Sequence, residues 1–336
     1  MVPSIAPTAT ALLTVTESLS TVTRIVLDGL SKASLFVLIA SGLSLIFGLM
    51  GVINFAHGSL TMIGAHLGGV VMVVAVTSGT GGFTRLVLFF LAVAAVFGIM
   101  TLGGAMLEKT LIRPVYDRAP LFQILLTFGL VLVLDEVARI VIEVSGMQPS
   151  SEWQDAIGTK PDFLASSYQV AGGSTEGLQL FEVFIGAVVV AAIWLFLTET
   201  RYGLYIRAGS EDSEMAEALG IDIRRAFTVV FGVGCGLAGV AGVMLMWDAR
   251  YGASVPLGVE TLLIAFIVVI IGGLGSFKGT VVAAVLVGFV DAVMTWVFQN
   301  HVAFPGLPEM VMFLVLVTVL VVRPQGLFGL EEVGGH

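Results

Sequence analysis

The stretch GLSLIFGLMGVINFAHGSLTMIGA, residues 42–65, is apolar except at its middle, where Asn54-Phe55-Ala56-His57-Gly58 interrupts it. A bilayer core about 30 Å thick is crossed by roughly 20 apolar residues in a helix. Polar side chains or unwound backbone at that depth survive only inside protein or beside a water-filled path. The interruption therefore predicts a helix broken near residues 52–58 inside a membrane bundle, and a transport function is the first expectation.

Outward from that break, the rest of the chain has the same character. Its 336 residues are 57% hydrophobic and 12% charged, with a mean hydropathy of +1.04; soluble domains carry about 25% charged residues. The 41 glycines suit a bundle, because small residues let helices approach closely where lipid supplies no hydrophobic drive between them. A single cysteine, Cys235, excludes a disulfide framework and a thiol metal cluster. A net charge of -9 and a pI near 4.9 argue against nucleic acid as a partner. No Lys or Arg precedes Arg24, unlike the basic start of a signal peptide, so residues 1–24 read as a loose or interfacial segment.

Apolar runs occupy residues 33–53, 59–78, 86–107, 121–143, 181–198, 226–247, 259–275, 280–298 and 308–322. The expected fold is all-α: a polytopic transmembrane bundle of about 8 to 10 spans, with residues 25–330 as the membrane domain and 331–336 as a tail. Lys109, Arg113 and Arg118 fill one inter-run loop, and Arg201, Arg207, Arg224 and Arg225 another. Cytoplasmic loops carry the excess of Lys and Arg, which puts the loop 199–225 and the C-terminus inside and the acidic stretch 144–180 outside. Lys32 and Arg85 are mild exceptions.

Within 199–225, a short helix is expected from Ser210 to Gly220. Ser210 can cap it, Glu211 and Asp212 suit its positive end, and Gly220 suits the stop. Met215 and Leu219 lie one turn apart and share a face with Ala216. Such a short helix is marginal alone and needs a support. Glu211, Asp212, Glu214 and Glu217 argue against an anionic lipid surface and favour a partner protein over an interfacial resting place.

Two nucleotide-like patterns are set aside. Gly234-Cys235-Gly236-Leu237-Ala238-Gly239 lacks the strand that a dinucleotide fingerprint requires and, with Gly232 and Gly242, reads as a close-packing helix face. Lys278 follows Phe277 where a phosphate loop has glycine, so any ATP-driven step belongs to another chain. The second interruption, Gly272-Gly273-Leu274-Gly275-Ser276, pairs with the first either as part of a midplane substrate path or as a tight turn between spans.

Of these candidates the first break carries the most chemistry. Asn54 offers donors and an acceptor, and His57 can donate, accept or carry charge; Gly58 and Ser59 add a flexible and a polar position. The pathway candidates are therefore Asn54, His57, Gly58, Ser59, Gly273, Gly275 and Asp291. Asp291 lies deep in its run with no partner nearby in sequence, whereas Asp135 and Arg139, four residues apart, are expected to neutralise each other. His57 and His66 without a neighbouring carboxylate make a poor metal site. No catalytic residue and no metal ligand are assigned, because no nucleophile and base are paired at depth.

Four segments, GLSLIFGLMGVINFAHGSLTMIGA (42–65), RAGSEDSEMAEALGID (207–222), IGGLGSFKGT (271–280) and RPQGLFG (323–329), together resemble the branched-chain amino-acid ABC-transporter permease family. The resemblance implies an inner-membrane importer subunit that carries no cofactor of its own. It further implies a second homologous permease, two subunits that bind ATP and Mg, and an external solute-binding protein. The coupling to the ATPase would then fall on Ser210, Glu211, Glu214, Met215, Glu217, Leu219 and Gly220. Ser59 and His66 depart from the acidic and aromatic residues frequent in that family. Related permeases for urea or short-chain amides share the framework, so that alternative stands beside branched-chain amino acids. An ion-coupled secondary carrier is the remaining alternative, with Asp291 as its carboxylate.

Overall fold

A computed structural model describes residues 6–77, 79–116, 118–147, 153, 160–301, 304 and 306–329, with side chains from Ser18 onward except those of Ser213 and Glu214. The expected tail 331–336 and, within the stretch 144–180, residues 148–152 and 154–159 lie outside the described residues. Among those described there are twelve α-helices: α1 (Ala6–Met50), α2 (His57–Ala75), α3 (Gly82–Leu107), α4 (Pro120–Ser145), α5 (Asp162–Ala165), α6 (Gly177–Glu199), α7 (Arg201–Glu211), α8 (Ser213–Ala218), α9 (Ile223–Trp247), α10 (Leu257–Gly272), α11 (Phe277–Asn300) and α12 (Leu307–Val322).

All nine apolar runs fold as helices, and the protein is a multi-pass helical membrane bundle. Six helices are long and apolar enough to cross a membrane: α1 over Ser18–Met50, α2, α3 with its continuation to Val115, α6, α9 and α11. The helices α10 and α12 are apolar but shorter, at 16 residues each. The 26-residue α4 carries Asp135, Glu136, Arg139 and Glu143 and buries only Thr127. Residues 6–24, expected as part of a loose or interfacial segment, belong to one continuous helix that runs from Ala6 into the first span; residues 1–5 lie outside the described residues.

Helices α1 and α9 form the centre. They are buried over 78% and 89% of their most apolar stretches, against 22% for α3 and α6 at the periphery. The glycine face expected on α9 is what brings it close to its neighbours: a Cβ on Gly42 of α1 would lie 2.3 Å from the Gly234 carbonyl, and one on Gly64 of α2 would lie 2.5 Å from Gly239 Cα. Backbones this close exclude any side chain. The ring of Trp247 ends α9 stacked on Phe89 of α3 at 3.8 Å.

The bundle has one departure from the all-α expectation, a two-stranded antiparallel hairpin, β1 (Ser167–Val170) and β2 (Gly173–Glu176). Its two-residue turn, Ala171-Gly172, takes positive φ at both positions (48° and 83°), the geometry that matches the twist of paired strands. Gly173 packs on Ser20 and Thr23 of α1, which marks the hairpin end of the bundle. The other end is marked by α7 and α8, where Gly209 lies against Leu49 near the close of α1.

Candidate functional site

The helix α1 ends at Met50, and Gly51 turns the chain back with φ 63°. Residues 51–56 then climb beside α1 without helical structure, so that α2 begins in the interior. Its depth is fixed by His57, whose Nε2 lies 2.9 Å from the carbonyl oxygen of Ile39, eleven residues before the end of α1 or about 16 Å along its axis. The helix α10 also begins in the interior. A Cβ on Gly58 would fall 2.0 Å from the Gly258 carbonyl and 2.7 Å from Leu262 Cβ, so the first turn of α2 lies against the first turns of α10. From this meeting point α2 runs toward the hairpin end and α10 toward the α7–α8 end.

Two positive helix ends thus converge at mid-bundle. The Gly58 and Ser59 amides find no backbone acceptor among the described residues. Asn54 and His57 are fully buried. The Asn54 side-chain oxygen accepts from the Ala56 amide at 3.1 Å, while its Nδ2 and the His57 Nδ1 have no partner among the described residues. Phe55 reaches Phe266 of α10, ring centroids 5.1 Å apart. A donor left unsatisfied in the interior costs about 1–3 kcal/mol, and among the described residues the Asn54 amide bears that cost here.

The helix α4 is tied to the same spot. Ser59 Oγ donates to Asp135 Oδ1 at 2.7 Å, and Thr127 Oγ1, which donates to the Gln123 carbonyl of its own helix at 2.9 Å, approaches the Ile53 carbonyl at 3.4 Å. The expected Asp135–Arg139 ion pair is corrected: Asp135 is held by Ser59, and no ion pair to Arg139 forms among the described residues.

The seven pathway candidates therefore separate into three levels. Asn54, His57, Gly58 and Ser59 come together. Gly273 and Gly275 lie at the far end of the 16-residue α10, about 24 Å away, in a tight turn with φ 99° and 83°. There the C-terminal segment clasps them: Leu327 N–H donates to the Ile271 carbonyl at 2.8 Å and Phe328 N–H to the Gly272 carbonyl at 3.0 Å. Of the two readings of this interruption, the geometry is that of the turn between α10 and α11.

Asp291 sits toward the hairpin end and is not partnerless. Lys32 Nζ binds it at 2.9 Å and binds Asp28 at 3.2 Å. Sequence reading also missed the group beside it: Arg250 pairs with Asp248 at 2.7 Å, Glu182 at 2.9 Å and Asp28 at 3.2 Å, and the Ser31 hydroxyl donates to Glu182. Burial pulls the Arg250 guanidinium down, but Glu182, Asp248, Tyr251 and Asp28 outweigh it and hold it above its ordinary value. These contacts join α1, α6, α11 and the α9–α10 loop. Asp28 with Lys32 and Asp248 with Arg250 are local pairs, but the contacts to Glu182 and Asp291 span separations no local pattern could disclose.

A second missed cluster caps the α3–α9 contact. Helix α3 continues through a π-helical turn, Glu108–Ile112, which buries Glu108 completely. Arg113 holds it with two bonds of 3.1 and 2.9 Å, and Tyr116 and Thr228 each donate to it at 2.7 Å. The wider turn of the π-helix brings residues five apart onto one face, which the Glu108 and Arg113 spacing could have signalled.

The expected coupling helix is two helices. Ser210 and Glu211 close α7, and Ser210 donates to the Arg207 carbonyl at 2.9 Å rather than capping anything. The cap of α8 is Asp212, whose Oδ1 accepts from the Met215 amide at 2.9 Å. Gly220 stops the segment with φ 87°, as its position implied. Met215 and Leu219 are exposed by 57% and 76% while Ala216 is buried, so the expected shared face divides, with Met215 and Leu219 turned outward and Ala216 inward. Glu217 is exposed, and the side chain of Glu214 lies outside the described residues.

A polytopic helical bundle with two helices starting in its interior is the architecture of a membrane transport protein. The family model described as "Branched-chain amino acid transport system / permease component" matches residues 25–322, and the chain belongs to that family. The high-affinity branched-chain amino acid transport system permease protein BraD of Pseudomonas aeruginosa is 27% identical over 307 residues, covering 91% of this chain and 95% of its own. The permease protein LivH of the corresponding Escherichia coli system is 27% identical over 309 residues, with 91% and 95% covered. Among solved structures, PsaBC from Streptococcus pneumoniae in complex with a Fab aligns over 88% of this chain and 89% of its own, at 13% identity and a TM-score of 0.47.

Proposed function

We propose that this permease passes branched-chain amino acids from an external solute-binding protein to the cytoplasm, driven by two ATP-binding partner subunits that hold ATP and Mg, and that a second homologous permease completes the conduit. The observation that carries this reading is the convergence of the α2 and α10 first turns at Gly58 and Gly258. Positive helix ends stabilise a carboxylate at low dielectric, and the unsatisfied Asn54 amide supplies a further donor. An α-carboxylate is common to all amino acids and absent from urea and amides, which is why amino acids are preferred to that alternative.

The C-terminus and the α7–α8 segment face the cytoplasm in this reading. The outward-facing Met215 and Leu219 on the stopped, capped α8 support docking into a groove of an ATPase. That partner must favour one bundle conformation over another, since equal binding to both shifts nothing. The carrier reading loses its free carboxylate, because Lys32 binds Asp291.

The test is uptake by the assembled complex in liposomes. Loaded binding protein raises ATP hydrolysis, leucine and not urea accumulates, and reversing the charge of Glu214 and Glu217 uncouples the two while insertion persists. Uptake driven by an ion gradient without ATP would refute the scheme.

A further inference from the structure

A cavity of about 360 Å³ opens at the α7–α8 end between α1, α6, α7 and α11. Its floor is apolar, built by Leu45, Ile206 and Phe277, and its mouth is formed by Arg207, Lys278 and Trp194. Both cations are exposed, and neither makes an ion pair among the described residues. Lys278 lies over the Trp194 ring, 5.3 Å from its centroid, on the last part of a helix long enough to cross the membrane.

The first turn of α11 opens to the same mouth. Ser276 caps it by accepting from the Gly279 amide at 3.1 Å, while the Phe277 and Lys278 amides find no backbone acceptor among the described residues. Free amides at a helix start favour phosphate, and two cations that make no ion pair among the described residues, with Glu211 one turn beyond Arg207 on α7, add charge where an anionic leaflet surface would lie. Tryptophan and snorkelling lysine are the side chains that sit at this boundary.

We propose that this cavity binds an anionic phospholipid, its phosphate on Lys278, Arg207 and the α11 first turn and its upper acyl chain on the apolar floor. The phosphate chemistry alone would also suit a soluble phosphate. The apolar floor selects the lipid, since a hydrated ion gains nothing from Leu45 and Phe277. The site lies outside the interior meeting point of α2 and α10. Occupied, it braces α7, and through α7 the orientation of α8.

The full chain is purified in a mild detergent, supplied with equal phosphatidylglycerol and phosphatidylcholine, and retained lipid is counted by native mass spectrometry. Phosphatidylglycerol is expected in excess by on the order of tenfold, and the R207Q/K278Q variant is expected to lose that excess. R24Q, at the hairpin end, is expected to keep it. Should the double variant fold poorly, brominated phosphatidylglycerol added to the unaltered chain is expected to quench tryptophan fluorescence more than brominated phosphatidylcholine, with the difference absent in W194F. Equal retention of the two lipids, an unchanged excess in R207Q/K278Q, equal quenching by both brominated lipids, or displacement of phosphatidylglycerol by millimolar inorganic phosphate would each overturn the proposal.

Discussion

The His57 imidazole meets the Ile39 carbonyl at 2.9 Å, and this single bond sets the level at which α2 starts. With Nε2 as the donor, Nδ1 is left as a buried acceptor without a partner among the described residues. Replacing His57 by Ala removes the bond and opens a void in a fully buried position. A loss of about 2–4 kcal/mol is expected, measured by thermal unfolding in detergent. A His57→Ala protein that melts with the unaltered one would show that the bond does not hold α2 in place.

Gly58 is predicted to tolerate no side chain. In Gly58→Ala the new Cβ would stand 2.0 Å from the Gly258 carbonyl, backbone that cannot swing aside, so a destabilisation of about 1–3 kcal/mol and loss of uptake are expected. Gly103→Ala is the counterpart. Nothing lies within 4 Å of its Cβ, and mid-helix Gly→Ala is worth up to about 1 kcal/mol in the stabilising direction. Equal melting temperatures for the two variants would contradict the close approach of α2 and α10.

Lys32 and Asp291 are mostly buried, at 7% and 12% side-chain exposure. Removing one charge, as in Asp291→Leu or Lys32→Met, strands the other and costs about 3–5 kcal/mol. The double variant Lys32→Met/Asp291→Leu is expected to recover most of that loss, since an apolar pair of similar volume is often neutral. Asp28 also holds Lys32, so the Asp291→Leu loss falls at the lower end of the range. A stable double variant that still imports solute identifies the pair as structural, whereas a stable one with abolished uptake would place it in the transport cycle.

Met215 and Leu219 face outward on and just beyond α8. Met215→Asp with Leu219→Asp is expected to leave the stability within about 0.5 kcal/mol of the unaltered protein, as exposed substitutions do, and to reduce solute-stimulated ATP hydrolysis by about tenfold, as a loss of about 1.4 kcal/mol in docking would. Undiminished hydrolysis would remove this face from the ATPase contact.

The local pattern carried a good part of the fold. Apolar runs of membrane length mark the nine helices because burial in hydrocarbon demands them one by one, and Asn54 to Gly58 mark the break because no uninterrupted span tolerates that polarity. Gly220 marks a stop because only glycine takes its positive φ without strain. Three assignments went astray for one reason each. Ser210 resembles a cap but the chain has Asp212 two residues on, a better acceptor at the start of α8. Asp135 has Arg139 one turn away, yet Ser59 on another helix reaches it first. Residues 6–23 lack the length of a span by themselves, but they continue the helix whose later part is buried in the bundle.

What the chain alone determined, then, is which segments are helical, where one of them breaks, and which residue types stand at that break; each follows from near-neighbour chemistry and the hydrocarbon thickness. Only the tertiary structure decided that α10 also begins in the interior against α2, that Lys32 closes on Asp291, and that Arg250 gathers Asp28, Glu182 and Asp248. Apart from Arg250 and Asp248, those pairings join residues from 68 to 259 positions apart no more visibly than any other pairs would be joined, because charge and small size in a sequence name what can meet and the packing of the helices selects what does.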